Sequence, residues 1–130
     1  MRPRGADCGG PAAGPAVKRA LRLRREEDFR RLRASRRSWA HPLAALYVAA
    51  NELGRSRVGI TVGKRVAKQA VARNRIRRRL REAVRLRYPR LRPGLDLLLV
   101  ARAPSARAEW AELDRAVGEL LQRARLLHDG

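Results

Sequence analysis

Hydrophobic positions along the chain fall into two kinds of pattern. Residues 57–63 (RVGITVG) alternate: Val58, Ile60 and Val62 interleave with Gly59, Thr61 and Gly63, as in a strand with one core face. Residues 43–50 (LAALYVAA) read as a second strand, with Leu46 and Val48 on one face and Ala45, Tyr47 and Ala49 on the other. Residues 95–101 (LDLLLVA) form a continuous apolar run of the buried-strand type. A helical period instead runs through residues 68–88, closed by Pro89 and Pro93-Gly94. Another runs through residues 108–127, with a stripe of Leu113, Val117, Leu120, Ala124 and Leu127. Glu26, Glu27 and Asp28 precede Phe29, Leu32 and several arginines, a charge order that complements the dipole of a short helix. Asn51–Arg55, with Gly54, predicts a turn pairing strands 43–50 and 57–63 as a hairpin. Trp39 marks a weak further strand before Pro42.

The expected fold class is α+β: a small α-β sandwich in which helices pack a sheet of about four strands. Residues 1–17 hold three prolines and four glycines and almost no large apolar group. They are read as a flexible tail, and residues 18–130 as a single domain.

Charge narrows the function. The chain carries 32 Lys plus Arg against 12 Asp plus Glu, a formal +20 on 130 residues. Only Lys18, Lys64 and Lys68 are lysines, so the positive surface is made of guanidinium forks suited to phosphate. Residues 64–92 hold 13 basic groups and one acid, Glu82, while residues 93–130 are close to neutral. A polyanion is the expected partner, its footprint centred on the middle segment.

On a helical wheel, Ala72, Ile76, Leu80, Ala83 and Val84 share one arc of the 68–88 helix. Asn74, Arg78, Arg81 and Arg85 share the opposite arc, and Arg73, Arg75, Arg77 and Arg79 lie on the flanks. One face is built to pack on a sheet, and the other to present a row of forks to successive phosphates. A merely solvated face is the competing reading, but like charges four residues apart repel by a few tenths of a kcal/mol each, and here one sign dominates. A membrane-surface helix would need more apolar bulk than Ile76 and Leu80 supply, and no apolar run is long enough to span a bilayer.

No zinc-finger spacing, basic zipper or helix-turn-helix pair points to DNA. A sheet with an exposed aromatic suits single-stranded RNA, whose bases stack on rings. Tyr47, on the face away from Leu46 and Val48, is a cleft candidate, Phe29 is open between cleft and core, and Trp110 is assigned to the core. His41 and His128 read as surface residues. No paired carboxylates, nucleophile triad or metal-ligand motif is visible, so neither catalysis nor a protein-held metal is expected. Cys8 is the single cysteine, which excludes an internal disulfide and fits a reducing, cytoplasmic compartment.

The run GITVGKRVAKQAVARNRIRRRLREAVR (59–85) closely resembles the signature of the protein component of bacterial ribonuclease P. LRLRREEDFRRL (21–32) resembles that family's first segment, and DLLLVARAPSA (96–106) its last strand and following turn. The resemblance covers roughly residues 18–127 in order and spacing. It implies the topology α-β-β-β-α-β-α with a left-handed crossover around the arginine helix. It also implies two partners, a catalytic RNA bound through the Arg-Asn-Arg region and precursor tRNA, whose single-stranded 5′ leader lies in a cleft between the first helix and the sheet. The RNA would perform the cleavage with magnesium ions.

Carried over residue by residue, Lys64, Arg65, Arg73, Asn74, Arg75, Arg77, Arg78 and Arg81 fall on the RNA-contacting motif, and Arg85 extends the stripe read from the wheel. Phe29 and Tyr47 fall on leader-cleft aromatics. Arg33 stands where a second aromatic is often found, Gly63 where Ser or Ala is common, and Ala103 where a basic residue is common. The alternative is a structural RNA-binding protein of ribosomal type with no part in cleavage. A stand-alone nuclease is disfavoured by the missing acid–base groups.

Overall fold

The computed structural model describes residues 26–35, 37–51 and 53–127. The expectations for residues 1–17, Cys8 and His128 lie outside them. In chain order the elements are α1 (Glu26–Arg33), β1 (Ser38–Ala40), β2 (Ala44–Ala50), β3 (Arg57–Thr61), α2 (Ala70–Arg87), β4 (Leu95–Ala101) and α3 (Trp110–Arg123). Single 3-10 turns at Tyr88–Arg90 and Ala103–Arg107 follow α2 and β4. The α+β class and the order α-β-β-β-α-β-α hold, with Trp39 on β1.

The pairing of strands departs from expectation. The sheet order is β1-β2-β4-β3, so β2 and β3 do not form a hairpin. β4 lies between them, antiparallel to β2 (Leu46 opposite Leu99, Val48 opposite Leu97) and parallel to β3 (Val58 opposite Leu97, Ile60 opposite Leu99). The reason is in the side chains. Leu97, Leu98 and Leu99 are all buried, so β4 needs cover on both faces, and only a central position provides it. The true hairpin joins β1 to β2 through His41–Leu43, where His41 and Ala44 exchange backbone bonds of 2.9 and 3.2 Å. The Leu43 amide also donates to His41 Nδ1 at 3.1 Å.

Alternation along β2 and β4 divides the molecule into layers. Leu46, Val48, Val58, Ile60, Leu97 and Leu99 face a core shared with Ile76, Leu80 and Val84 of α2 and Leu113, Val117 and Leu120 of α3. Leu98 faces the other way, onto Leu32 of α1, ringed by Phe29, Tyr47, Ala49 and Val100. Leu32 is the one fully buried side chain of α1, so this eight-residue helix is anchored by a single leucine and by polar contacts. A helix this short is not stable alone.

The α2–β3–β4 junction is closed by hydroxyls. Tyr88 donates from its hydroxyl to the Ser56 carbonyl at 2.5 Å, and Ser56 Oγ donates to the Arg92 carbonyl at 2.5 Å. Burial pushes the Tyr88 phenol above its ordinary value, against the pull of Arg55 and of this bond. Gly94, at φ 79°, supplies the left-handed residue from which β4 starts, its carbonyl accepting from the Asn51 amide at 2.8 Å.

Candidate nucleic-acid interface

The wheel arc of α2 is realised: Ile76, Leu80, Ala83 and Val84 are its buried residues. Its first turn contains no acid, and its N-cap, Gln69, makes no side-chain cap. Arginines at 73, 75, 77, 78 and 79 therefore crowd the half of the helix where the dipole is already positive. Nothing within the helix offsets this until Glu82, so the N-terminal half of α2 is the natural seat for an anion.

The basic residues differ in what they touch. Lys64, Arg65, Arg75 and Arg78 are exposed and form no ion pair or hydrogen bond among the described residues. Arg73 donates to the Ala67 and Lys68 carbonyls at 3.0 and 2.7 Å, which folds the Lys64–Gln69 approach against the helix. Arg77 donates to Asn74 Oδ1, aligning these two members of the Arg73-Asn74-Arg75 region. Arg85 forms a two-pronged pair with Glu82, from Nε at 2.8 Å and from Nη2. Its charge is thus locally offset, and the outward row of α2 runs through Asn74, Arg78 and Arg81. Arg87 turns inward instead, donating to the Ala83 carbonyl at 3.0 Å and to Asp114 at 2.6 Å across Gly118 of α3. A Cβ at Gly118 would come within 2.9 Å of that guanidinium, so α2 and α3 close on a glycine.

On the opposite face of the sheet, Phe29 and Tyr47 come together, both half-buried around Leu32 and Leu98. Phe29 thus packs on the Leu32–Leu98 cluster while keeping part of its ring exposed. Arg33 is exposed one helical turn after Phe29, on the same side of α1. Thr61, at the end of β3 on this side of the sheet, has a buried hydroxyl oxygen with no partner among the described residues.

Asp96 organises this face, and sequence reasoning missed it. Its side chain is 0% exposed. Arg57 donates to both of its oxygens at 2.9 and 2.8 Å, Asn51 donates to Oδ1 at 2.7 Å, and Arg31 of α1 donates to Oδ2. Asp28 lies 3.8 Å from Arg57 and 3.9 Å from Arg31, balancing the second positive charge. Burial alone would raise the Asp96 carboxyl, but the bonds from Arg57, Asn51 and Arg31 outweigh it and hold the group below the usual carboxylate range. The available signal was a lone acid inside an apolar strand, although its partners lie 39, 45 and 65 residues away.

Trp110 corrects another expectation. It is not core: it is 37% exposed at the start of α3 and lines a groove with Arg75, Arg78, Arg79 and Glu82. The apolar stripe of α3 begins only at Leu113, one turn later, so the indole overhangs the flank of α2. His41 is half-buried, its Nε2 3.1 Å from Glu119. Among the described residues, no three His, Cys, Asp or Glu side chains come together in a way that could hold a metal ion.

A basic helix packed on a four-stranded mixed sheet, with two half-buried aromatic rings on the other face, is a specific arrangement, and it has relatives. The family model of ribonuclease P matches residues 17–125. The chain belongs to the ribonuclease P protein family. The ribonuclease P protein component of Herpetosiphon aurantiacus is 46% identical over 113 residues, covering 87% of this chain and 91% of that protein. That of Roseiflexus castenholzii is 47% identical over 109 residues, covering 83% and 88%. Among solved structures, the ribonuclease P protein of Staphylococcus aureus superposes with a TM-score of 0.77 at 26% identity, over 85% of this chain and all of that one. The Thermotoga maritima protein, solved with 1-(4-fluorophenyl)-2-thiourea, gives 0.71 at 25% identity, over 78% and 97%. With the family comes the role of protein subunit in ribonuclease P, and the ribosomal-type alternative is not favoured. No helix among the described residues is long and apolar enough to cross a membrane.

Proposed function

We propose that this chain binds the catalytic RNA of ribonuclease P through α2 and its approach, and the single-stranded 5′ leader of precursor tRNA in the cleft between α1 and the sheet. The observation that carries this reading is the division of labour across one sheet in a member of this family. One side bears a row of arginines, and the other a half-buried pair of aromatic rings. Lys64, Arg65, Arg73, Asn74, Arg75, Arg77, Arg78, Arg81 and Arg85 are assigned to the RNA, and Phe29, Tyr47 and Arg33 to the leader.

The chemistry follows from what the chain contains. The Asp96 and Asp28 carboxylates face arginines, Glu119 lies 3.1 Å from His41 Nε2, and among the described residues no three His, Cys, Asp or Glu side chains could hold a metal ion. In this reading the protein positions and the RNA cleaves. Bound by the RNA, magnesium ions would supply Lewis-acid chemistry, and no described residue of this chain is assigned to hold them. Guanidinium groups on α2 screen phosphate repulsion between RNA and substrate, which is expected to lower the magnesium needed. The compartment follows the substrate: a cytoplasmic site of tRNA maturation.

The test is cleavage of a precursor tRNA by bacterial ribonuclease P RNA at low magnesium, with and without this protein. Correct 5′ cleavage restored by the protein, with none from the protein alone, is the expected result. Tight RNA binding without rescue would overturn the subunit role, and cleavage by the protein alone would overturn the division of labour.

The cleft assignment makes a separate prediction. Phe29→Ala and Tyr47→Ala should each weaken binding of precursor tRNA to the assembled ribonucleoprotein by about 1–3 kcal/mol, the worth of one base–aromatic stack. Mature tRNA, which has no leader, should bind as before. Equal losses for both tRNAs in a competition titration would remove the leader from the cleft.

A further inference from the structure

The groove between α2 and the start of α3 is left over once the row of α2 and the α1 cleft have been assigned. It measures about 460 Å³ and is lined by Arg75, Arg78, Arg79, Glu82 and Trp110. We propose that it holds one unpaired nucleotide of the ribonuclease P RNA, its base against the Trp110 indole and its phosphates against Arg75 and Arg78. The proposal rests on the RNA-binding reading above and adds a specific site to it.

Three observations select this occupant. First, Trp110 is exposed where the pattern of α3 gives it no structural need to be. An indole open to solvent beside arginines offers a π-face to any base, without sequence demand. Second, the acids near the groove are already engaged. Glu82 is held by Arg85, while Glu109 and Glu112, on either side of Trp110 in sequence, form the reciprocal capping box of α3. Arg75 and Arg78 have no partner among the described residues, so the groove presents a net positive wall to a phosphate. Third, one wall is pre-set: Arg79 reaches back to the Ala108 carbonyl at 3.4 Å, bridging α2 to the segment before α3. The volume suits a single nucleotide rather than a helix of paired bases.

The location separates this site from the leader cleft. Trp110 belongs to the α2–α3 side of the sheet, and Phe29 and Tyr47 to the α1 side. The two aromatic sites should therefore respond to different RNAs.

The experiment uses the full-length protein and ribonuclease P RNA. The chain has two tryptophans, so Trp39→Phe leaves Trp110 as the only indole reporter. Titration with the RNA should quench its emission, while a fully paired RNA duplex of similar length should not. Trp110→Ala should weaken binding of the ribonuclease P RNA by roughly 5- to 150-fold, the range for one base stack. Its salt dependence should be unchanged, because no phosphate contact is lost. Trp110→Phe should retain affinity within about threefold, since a ring remains. Neither Trp110 variant should alter the preference for precursor over mature tRNA. If the protein binds the RNA with its usual salt dependence, yet Trp110 emission does not change and Trp110→Ala binds like the parent, the groove is not a nucleotide site and the α2 reading survives. If the parent does not bind the RNA, both fall together.

Discussion

Asp96→Ala is expected to lower folding stability by about 3 kcal/mol, at the lower end of the range for breaking a buried ion pair. The lower end applies because the partners differ in exposure. Arg31 is 45% exposed and can return to water, whereas Arg57 is 22% exposed over a buried strand and would keep only Asp28, 3.8 Å away, as counter-charge. Asn51 would lose a 2.7 Å acceptor as well. A loss of this size is a large share of the stability of a domain of this length. It should also appear first at α1, whose polar attachments to the sheet are Arg31 to Asp96 and Asp28 to Arg57 and whose buried anchor is Leu32. Hydrogen exchange in α1 of the milder Asp96→Asn variant should therefore rise before exchange in α2 or α3 does.

The same carboxylate carries a pH signature. Its folded value lies below the ordinary one, whereas in the unfolded chain an aspartate titrates near 3.9. Between those two values the unfolded state binds more protons, so stability rises with pH there. The Asp96 contribution is thus complete above about pH 5 and is lost as the pH falls through the lowered folded value. Urea midpoints of the parent and of Asp96→Asn, measured between pH 2.5 and 7, should converge at the acid end. A gap as wide at pH 2.5 as at pH 7 would place the effect in packing rather than in charge.

The second large effect concerns the RNA. If roughly six arginines neutralise phosphates, the log–log slope of affinity against salt should be about −4 to −5. Raising salt from 50 to 200 mM should then cost roughly 250- to 1000-fold in affinity. Lys64, Arg65, Arg75 and Arg78 are exposed and unpaired among the described residues, so changing all four to Gln should spare the fold. That variant should flatten the slope by about 3, because each lost phosphate contact removes roughly 0.7–0.9. A filter-binding titration over that salt range decides the matter. An unchanged slope would place the contacts elsewhere on the surface.

Both the packing face and the charged face of α2 were legible because a single period of 3.6 separates them: Ile76 and Leu80 on one side, Arg78 and Arg81 on the other. β4 was equally legible as a strand, but its neighbours were not. Asn51 to Gly54 resembles a hairpin turn in composition, and local turn chemistry suggested pairing β2 with β3. The two-sided burial of Leu97, Leu98 and Leu99 prevailed. That choice depends on the whole sheet and is invisible in any short window. The Asp96 network was hidden for the same reason, since its partners come from α1, the end of β2 and β3. Trp110 was misplaced because a large ring near an apolar stripe was counted with it, although the stripe starts one turn later. Phe29 and Tyr47 stood out as candidates by composition, there being few rings in the chain to choose among, and the fold brings both to the α1 side of the sheet.

The central place of β4 sets the order of events during synthesis. Three strands have been synthesised by Thr61, yet the strand that joins β2 to β3 is not complete until Ala101. At 5–20 residues per second, that interval lasts roughly 2–8 s. Throughout it the inner edges of β2 and β3 are unpaired, with apolar faces open, next to a segment dense in arginine. The nascent chain is therefore exposed to mispairing and to stray polyanions late in its synthesis. A chain arrested at Arg87 would carry every assigned RNA contact and still lack the strand that joins β2 to β3 beneath them.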